Sequence, residues 1–324
     1  MLPAELEDGT WLWPVGALGR DEILLIAQAR RPAFFGFDTR TKSRRLLARA
    51  PEWASCGGCF EIQKTAIGAD LIAVIVKGYA PDATTGGKRH YEIWTMPRTG
   101  GAMRMAVRLP ENLQAEEAYV DGFQIVGNTA VWWGIDSDIW RVPLAGGTPE
   151  QVRPGDRAHV SSWPWAHDAA AKTIIHLGTG EEIDVDATGH PLACDSVWCV
   201  GADGRSDEVV VLKADGGGRV TVPGTVLMFK PPIHNRLVLL RMPGRQYGGS
   251  FGGSALGAIV QLYDICTRRQ AFLGSATLAR AELPWDAIRL GAHTPEGPIV
   301  YWRAGGNRFV VVDLARITAH PCAS

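Results

Sequence analysis

The sequence has neither an excess of charge of one sign nor a long apolar run. Its 33 basic and 34 acidic residues leave a formal net charge of −1. A chain so balanced has no overall attraction for polyanions, which argues against nucleic acid or an anionic membrane as its main partner. Apolar runs such as Leu71 to Val76 are only as long as a strand, whereas a membrane-spanning helix needs about 20 apolar residues. The sequence therefore predicts no transmembrane segment.

The first eight residues also lack the basic and apolar regions of a secretory signal. By themselves they predict no export, although a leader removed upstream is compatible with the same start. Because paired cysteines favour an oxidising compartment, we expect the protein in the cell envelope or outside the cell. A cytoplasmic location is the alternative.

Six cysteines are present, and their spacing suggests how they pair. The close pairs are Cys56 with Cys59 and Cys194 with Cys199, while Cys266 and Cys322 stand apart. Close pairs predict two local disulfides that tie a loop or hairpin, with the distant residues as a third pair, and other pairings stay open. Buried free thiols are a second interpretation. A zinc site is a third, disfavoured because neither close pair has further cysteine or histidine ligands nearby.

The sequence has no compact catalytic or cofactor motif. The segment Gly249 to Gly252 does not have the Gly-x-Ser-x-Gly spacing of a nucleophile elbow. The Gly-rich segment Gly244 to Ser254 lacks the Gly-Lys-Ser/Thr ending of a phosphate loop. Eight histidines are scattered singly. We therefore predict no cofactor and no metal site, and the catalytic residues, if there are any, are unknown at this stage.

The most informative pattern that is present is a repeated phrase. Residues 139–147 read Ile-Trp-Arg-Val-Pro-Leu-Ala-Gly-Gly and echo residues 93–101, Ile-Trp-Thr-Met-Pro-Arg-Thr-Gly-Gly. Each copy is a short alternating strand that leads into a Gly-Gly turn. A spacing of about 45 residues is typical of the four-stranded blade of a β-propeller. The 38 glycines and 20 prolines fit many short strands joined by tight turns.

We therefore predict an all-β fold, a single β-propeller domain over residues 1–324, with seven blades favoured and six as the alternative. Alternating segments mark three regular blades up to residue 153, the third with strands at residues 118–126, 129–134, 137–143 and 150–153. A less regular fourth follows. The strands predicted in the fourth, fifth and sixth blades are residues 173–177, 181–185, 196–200, 208–213, 218–222, 236–242, 258–265 and 270–273. The seventh blade lacks an outer strand in this assignment. Because an unpaired sheet edge is unfavourable, we expect the segment before Thr10, or the tail that ends at Cys322, to supply that strand.

The repeats also carry a family resemblance. The run Ile139 to Pro149, preceded by Tyr119 to Gly122 and Ala130 to Trp133, resembles the repeats of TolB-like and YWTD-like bacterial β-propellers. The resemblance covers about two blades and implies the propeller fold. Such families contain periplasmic and surface binding proteins, lipoproteins and a few enzymes. It therefore implies no particular activity, since one fold serves many functions.

Two long insertions supply most of the candidate binding residues. One is the Gly-rich segment from residue 243 to 257, and the other runs from residue 79 to 89. If each joins the second and third strands of its blade, both lie on the same face of the propeller. Arginine and aromatic side chains in such loops often contact ligands, and a solvated loop is the alternative. The candidates in or beside the two insertions are Arg245, Tyr247, Phe251, Tyr79 and His90.

The adjacent residues His167 and Asp168 form a further candidate. A carboxylate beside an imidazole can orient it and favour its charged form, which suits acid-base chemistry or binding. An ordinary loop hydrogen bond is the alternative. The neighbouring Trp132 and Trp133 are instead predicted to pack between blades, because adjacent strand residues point to opposite faces.

From these features we expect a non-catalytic, monomeric β-propeller that binds a protein, peptide or glycan through one face. The absence of a compact catalytic motif favours this hypothesis. The alternative is an enzyme with a central-channel site, such as a lactonase-like hydrolase or a cyclase of small-molecule biosynthesis. Acidic and histidine side chains brought together by the fold would favour the enzyme.

Overall fold

The structure is a computed structural model of the 324-residue chain. It describes residues 1–29, 31–51, 60–79, 89–109, 120–134, 139–153, 159–167, 173–185, 192–202, 208–226, 231–242, 258–276, 289–292, 297–304 and 307–317. Within these ranges, no helix has the length and apolar character needed to cross a membrane.

The strands form seven four-stranded sheets, the architecture of a seven-bladed β-propeller. Each sheet is one blade. Blades 1 to 6 use four consecutive strands paired in chain order, and blade 7 joins the first strand of the chain to the last three. The prediction of an all-β, seven-bladed propeller is confirmed, and the six-bladed alternative is wrong.

The first half of the chain forms β1 and the strands of blade 1 (β2–β5), blade 2 (β6–β9) and blade 3 (β10–β13). Their bounds are β1 Leu2–Pro3, β2 Leu12–Gly19, β3 Glu22–Ala27, β4 Ala33–Asp38, β5 Arg44–Arg49, β6 Glu61–Ile67, β7 Leu71–Tyr79, β8 Arg89–Pro97, β9 Arg104–Arg108, β10 Val120–Val126, β11 Thr129–Gly134, β12 Ile139–Pro143 and β13 Glu150–Arg153.

The second half forms blade 4 (β14–β17), blade 5 (β18–β21), blade 6 (β22–β25), three strands of blade 7 (β26–β28) and one short helix. Their bounds are β14 His159–Ser162, β15 Trp165–His167, β16 Thr173–His176, β17 Glu182–Asp184, β18 Leu192–Cys194, β19 Trp198–Ala202, β20 Glu208–Lys213, β21 Val220–Pro223, β22 Thr225–Val226, β23 Leu237–Met242, β24 Ala258–Asp264, β25 Arg269–Ala276, β26 Arg289–Leu290, β27 Ile299–Ala304, β28 Arg308–Asp313 and α1 Leu314–Ile317.

The chain divides into two compact units. The first consists of residues 1–155 and 290–313, and the second of residues 156–289 and 314–324. Blades 1, 2 and 3 lie in the first unit with β27, β28 and β1 of blade 7, and blades 4, 5 and 6 lie in the second. The expectation of one domain over residues 1–324 stays a prediction.

In the first unit, each core lies between two neighbouring blades. Tyr91 and Ile93 of β8 pack with Trp132 of blade 3, whereas Met96 of the same strand packs with Phe34 of blade 1. Alternate side chains of a strand point to opposite faces, so one strand contributes to two cores. Trp132 and Trp133 are both buried, and the packing predicted between blades is confirmed for Trp132, which belongs to the core between blades 2 and 3.

The second unit follows the same rule. Cys199 and Leu212 of blade 5 pack with Ile174 of blade 4. Their neighbours in sequence, Val200 and Val211, pack with Leu240 of blade 6. Burial on both faces explains why these strands read as almost continuous apolar runs.

The repeated sequence phrase marks the same turn in blades 2 and 3. Gly100 and Gly146 donate their N–H groups to the carbonyl of the proline three residues earlier, at 2.9 and 3.0 Å. Both have a positive φ, +102° and +108°, which glycine adopts without strain. The next residue, Gly101, donates to the carbonyl of Leu47 in blade 1 at 2.9 Å. The turn therefore links blade 2 to blade 1.

The N-terminal strand β1 completes blade 7. Leu2 lies opposite Phe309 of β28, and the N–H of Ala4 donates to the carbonyl of Asn307 at 3.0 Å. The side-chain amide of Asn307 donates to Glu5 at 2.8 Å. The segment before residue 10 thus supplies the missing outer strand, as predicted, and the alternative of the C-terminal tail is wrong.

Arg236 and Asp264 form a two-point ion pair in blade 6. The guanidinium donates from Nε and Nη2 to the two carboxylate oxygens at 3.0 and 2.7 Å. The N–H of Cys266 donates to the same carboxylate at 2.9 Å. These bonds, led by those of Arg236, hold the pKa of Asp264 below its usual value, against the opposing effect of burial.

We predict that Asp264→Asn lowers the free energy of unfolding at pH 7 by about 2 kcal/mol, since hydrogen bonds to a charged group are lost. A carboxyl whose folded pKa is depressed contributes fully above its unfolded pKa, about 4. That contribution disappears as the pH falls through the folded pKa. Urea unfolding at pH 7 and pH 3 should therefore show that the difference in free energy of unfolding between the wild type and Asp264→Asn is smaller at pH 3. A difference of the same size at both pH values, or one matched by the exposed control Asp184→Asn, would contradict this prediction.

Candidate functional site

The buried polar side chains of the described residues all lie on one strand. They are His90, Glu92 and Thr95 of β8, and Glu92 is the charged member, with only 1% of its surface exposed. A buried carboxylate is costly unless it is paired and hydrogen-bonded. Within the described structure, β8 is therefore the strand on which a functional site is best sought.

Strand alternation explains how a glutamate came to be buried here. His90, Glu92, Trp94 and Met96 share one face of β8, and Met96 belongs to the core between blades 1 and 2. On the neighbouring strand β7, Val76 lies opposite Glu92 and belongs to the same core. Glu92 therefore occupies a position that the pattern reserves for an apolar residue.

The carboxylate of Glu92 is held by two side chains. Oε1 accepts from Nε and Nη2 of Arg108 at 2.9 and 2.8 Å, because Arg108 of β9 lies directly opposite Glu92 in the register. Oε2 accepts from the indole Nε1 of Trp94 at 2.8 Å. Both oxygens are thus satisfied, and the charge-assisted bonds to Arg108 fix the plane of the carboxylate.

His90 also lies beside the carboxylate of Glu92. Its Nε2 lies 3.3 Å from Oε1 of Glu92, an ion-pair distance without the alignment of a hydrogen bond. Gly78, which has no side chain, lies opposite His90 on β7. The imidazole is nearly buried, with 8% of the side chain exposed.

This arrangement has the parts of an acid-base site. Imidazole and carboxylate side chains are the groups that most often transfer protons in enzymes, and here they lie 3.3 Å apart. The carboxylate lies close enough to the ring to help position it. Arg108, whose side chain is 58% exposed, adds a guanidinium beside the pair. The three residues are called the blade 2 cluster below.

Among the predicted site residues that the structure describes, His90 belongs to this cluster. Tyr79 ends β7 opposite Arg89. His167 lies on β15, opposite His159 and Ile174, in the other unit. The remaining candidates, Arg245, Tyr247, Phe251 and Asp168, lie outside the described residues.

The two insertions do connect the second and third strands of their blades, β7 to β8 and β23 to β24. That both insertions lie on the same face of the propeller stays a prediction. In the part of the chain that the structure describes, no three His, Cys, Asp or Glu side chains are grouped as they would be around a metal ion.

The cysteines confirm one predicted pair. Cys194 and Cys199 face each other across the hairpin of β18 and β19 and form a disulfide. The free-thiol and zinc interpretations are therefore wrong for this pair. Cys266 is also disulfide-bonded, whereas Cys56, Cys59 and Cys322 lie outside the described residues.

Two members of the cluster, Glu92 and Arg108, were missed by sequence reasoning. The signal was present: alternation along β8 assigns residues 90, 92, 94 and 96 to one face, and a tryptophan and a methionine at the end of that series mark it as buried. A glutamate in that series predicts a buried partner. Its identity depended on the pairing register of β8 and β9, which the sequence does not specify.

No family model and no curated protein matches this sequence. Solved structures match the fold. A puromycin hydrolase, in its S511A mutant form complexed with PGG, is 15% identical, with 90% of this chain and 50% of that chain covered and a TM-score of 0.53. The acylaminoacyl peptidase of Pyrococcus horikoshii is 10% identical, with 93% and 49% covered and a TM-score of 0.52.

The chain spans about half the length of these two proteins. At such low identity the likeness establishes the β-propeller fold. Membership of the TolB-like group in particular is not established by it.

These comparisons correct the functional expectation. The sequence led us to expect a non-catalytic binding propeller, whereas the structural neighbours named above are both enzymes. That expectation rested on the absence of a compact motif, and such an absence does not exclude catalysis. In the blade 2 cluster, His90 and Glu92 lie on β8 and Arg108 lies 16 residues after Glu92 on β9, a combination that matches none of the compact motifs sought in the sequence.

Proposed function

We propose that this chain is a hydrolase of amide bonds in small, peptide-like substrates, or the propeller part of such an enzyme, with its acid-base group in the blade 2 cluster. The observation that carries the proposal is the imidazole of His90 lying 3.3 Å from the buried carboxylate of Glu92. A general base needs an orienting partner, and Glu92 is fixed by Arg108 and Trp94 for that role.

The comparisons support the class of reaction. The two neighbours with TM-scores above 0.5 are named a puromycin hydrolase and an acylaminoacyl peptidase. The first name states hydrolysis of puromycin, and the second states a peptidase that acts on acylaminoacyl groups. Because this chain spans about half the length of each of these enzymes, its sharing their type of activity is proposed here.

The chemistry assigns one role to each residue. His90 takes a proton from a water molecule, whose oxygen adds to the carbonyl carbon of the substrate. The C–N bond then breaks, and the protonated His90 returns the proton to the leaving amine, giving a carboxylic acid and an amine. Glu92 is a positioning residue, because it acts through His90.

Three further features belong to the same proposal. The tryptophan-containing repeats support membership of the TolB-like or YWTD-like group. The disulfides of Cys194, Cys199 and Cys266 support an envelope or extracellular location. We also propose that the protein is monomeric.

Steady-state kinetics with puromycin and with aminoacyl and N-acylaminoacyl p-nitroanilides tests the proposal. We expect His90→Asn to lower kcat about 100-fold, the usual contribution of a general base, with little change in KM. Glu92→Gln should also lower kcat with little change in KM, and Glu92→Asp should restore part of the rate, because a carboxylate again faces the imidazole.

The controls are His234→Asn and Glu181→Gln, which change an exposed histidine and an exposed glutamate. His234 has a positive φ of 51°, which asparagine tolerates. Thermal unfolding of each variant separates loss of catalysis from loss of folding. The proposal is wrong if the wild-type chain hydrolyses none of the substrates, or if His90→Asn retains the kcat of His234→Asn.

A further inference from the structure

The guanidinium of Arg108 has one edge fixed in the protein and another directed outward. Nε and Nη2 both donate to a single oxygen, Oε1 of Glu92. A guanidinium carries five N–H groups in a rigid plane, so the Nη1 edge is oriented by these bonds without taking part in them. Within the described residues, Nη1 has no hydrogen-bond partner.

The exposure of the two partners differs sharply. The carboxylate of Glu92 is buried, whereas the side chain of Arg108 is more than half exposed. The strand β9 carries arginine at both ends, Arg104 and Arg108, and no acidic residue. It is also the edge strand of blade 2. The outward edge of Arg108 therefore faces solvent on a basic strand.

An oriented, partly exposed guanidinium is well suited to bind a carboxylate, because its paired N–H groups match the two oxygens. Holding it in advance reduces the side-chain entropy lost on binding. Lysine has no equivalent planar fork. The chemistry of this edge thus selects an anion with two oxygens in one plane.

Arg108 is also close to the proposed base. Nη2 of Arg108 and Nε2 of His90 contact the same oxygen atom of Glu92, at 2.8 and 3.3 Å. An anion on Arg108 would therefore lie beside the imidazole. In an N-acyl amino acid, the carboxylate is attached to the carbon that bears the scissile amide nitrogen. The carboxylate and the scissile bond are therefore close enough for the first to contact Arg108 while the second lies beside His90.

We propose that Arg108 binds the free carboxylate of the substrate, and that the substrates of the blade 2 cluster are N-acyl amino acids or peptides cleaved next to a free C-terminal carboxylate. This inference rests on the proposed hydrolase function and specifies its substrate class. Arg108 is then a binding residue with two contacts: the buried Glu92 on one edge and the substrate on the other.

Hydrolysis of N-acetylphenylalanine and N-acetylphenylalaninamide by the wild type, Arg108→Lys and Arg104→Gln tests the inference. The wild type should prefer the acid at least about 10-fold in kcat/KM, a typical effect of one charge-assisted contact. Arg108→Lys should reduce that preference about 10-fold, mainly through KM, because lysine keeps the charge and loses the fork. Arg104→Gln, on the same strand, should keep the preference.

The outcomes separate this inference from the proposed function. If the wild type hydrolyses both compounds and Arg108→Lys keeps the preference for the acid, the carboxylate site is wrong and the hydrolase stands. If the wild type hydrolyses neither, the hydrolase is wrong, and calorimetric titration with N-acetylphenylalanine decides the site. Binding that is lost in Arg108→Lys and kept in Arg104→Gln then supports it, and absence of binding to the wild type overturns it.

Discussion

Removal of residues 2–6 is expected to lower the free energy of unfolding by about 5 kcal/mol. The deletion takes away β1, the edge strand of blade 7, together with the buried side chains of Leu2 and Ala4. Burial of a leucine side chain contributes roughly 1.5 to 3 kcal/mol. Each lost backbone hydrogen bond, such as Ala4 N–H to Asn307, adds about 1 kcal/mol.

The deletion should also change the behaviour of the folded protein. It exposes β28 as an unpaired edge, and such an edge pairs with other chains. We expect a lower urea midpoint together with a concentration-dependent increase in mass by light scattering. Glu7→Ala is the control, because Glu7 is almost fully exposed. Unchanged unfolding of the deletion variant would mean that β1 does not hold blade 7 together.

Gly122→Ala is expected to lower the free energy of unfolding by about 3 kcal/mol or more, which is large for the addition of one methyl group. A Cβ at Gly122 would lie 1.8 Å from Cζ2 and 2.0 Å from Cε2 of Trp133. Trp133 lies opposite Gly122 in the β10 and β11 pair and is buried. The indole cannot keep its position, and overpacking of a core forces side chains from their rotamers and moves the backbone.

Gly19→Ala is the matched control for this effect. Gly19 also lies in the first strand of its blade, and a Cβ there would meet no atom within 4 Å. Its substitution should change the free energy of unfolding by less than about 1 kcal/mol. Urea unfolding monitored by tryptophan fluorescence measures both variants. If the two substitutions lowered the free energy of unfolding equally, the contact of Trp133 with Gly122 would not be the cause of the loss of stability.

The blades that the sequence predicts best are those whose strands are long and alternate regularly. In blade 3, the predicted strands at residues 129–134 and 150–153 agree with β11 and β13 in both bounds. The Gly-Gly turns added a second signal, since a positive φ at Gly100 and Gly146 restricts those positions to glycine. Regular pattern and turn chemistry together specified the blade.

The strands that sequence reasoning missed are short. In blades 4 to 6, β14, β15, β18 and β22 were not predicted, and they have two to four residues each. A strand of that length shows too few alternations to be separated from a loop. They are stabilised by their neighbours in the sheet and, at Cys194, by a disulfide to the next strand.

The candidate site was predictable only in part. His90 was singled out because it follows an insertion, and its buried position beside Glu92 was not foreseen. The cluster depends on a one-to-one register in which Glu92 lies opposite Arg108 and Val76. A shift of one residue would turn Glu92 to the other face of the strand. Composition and motif spacing contain no information on that register.

The coupling of His90 and Glu92 in catalysis is the central claim, and a double-mutant cycle on kcat tests it most directly. If Glu92 acts by orienting the imidazole, Glu92→Gln has nothing further to remove once His90 is gone. The account predicts that the double variant has the kcat of His90→Asn alone. A kcat reduced by the product of the two single effects would contradict the account, because the two residues would then act independently.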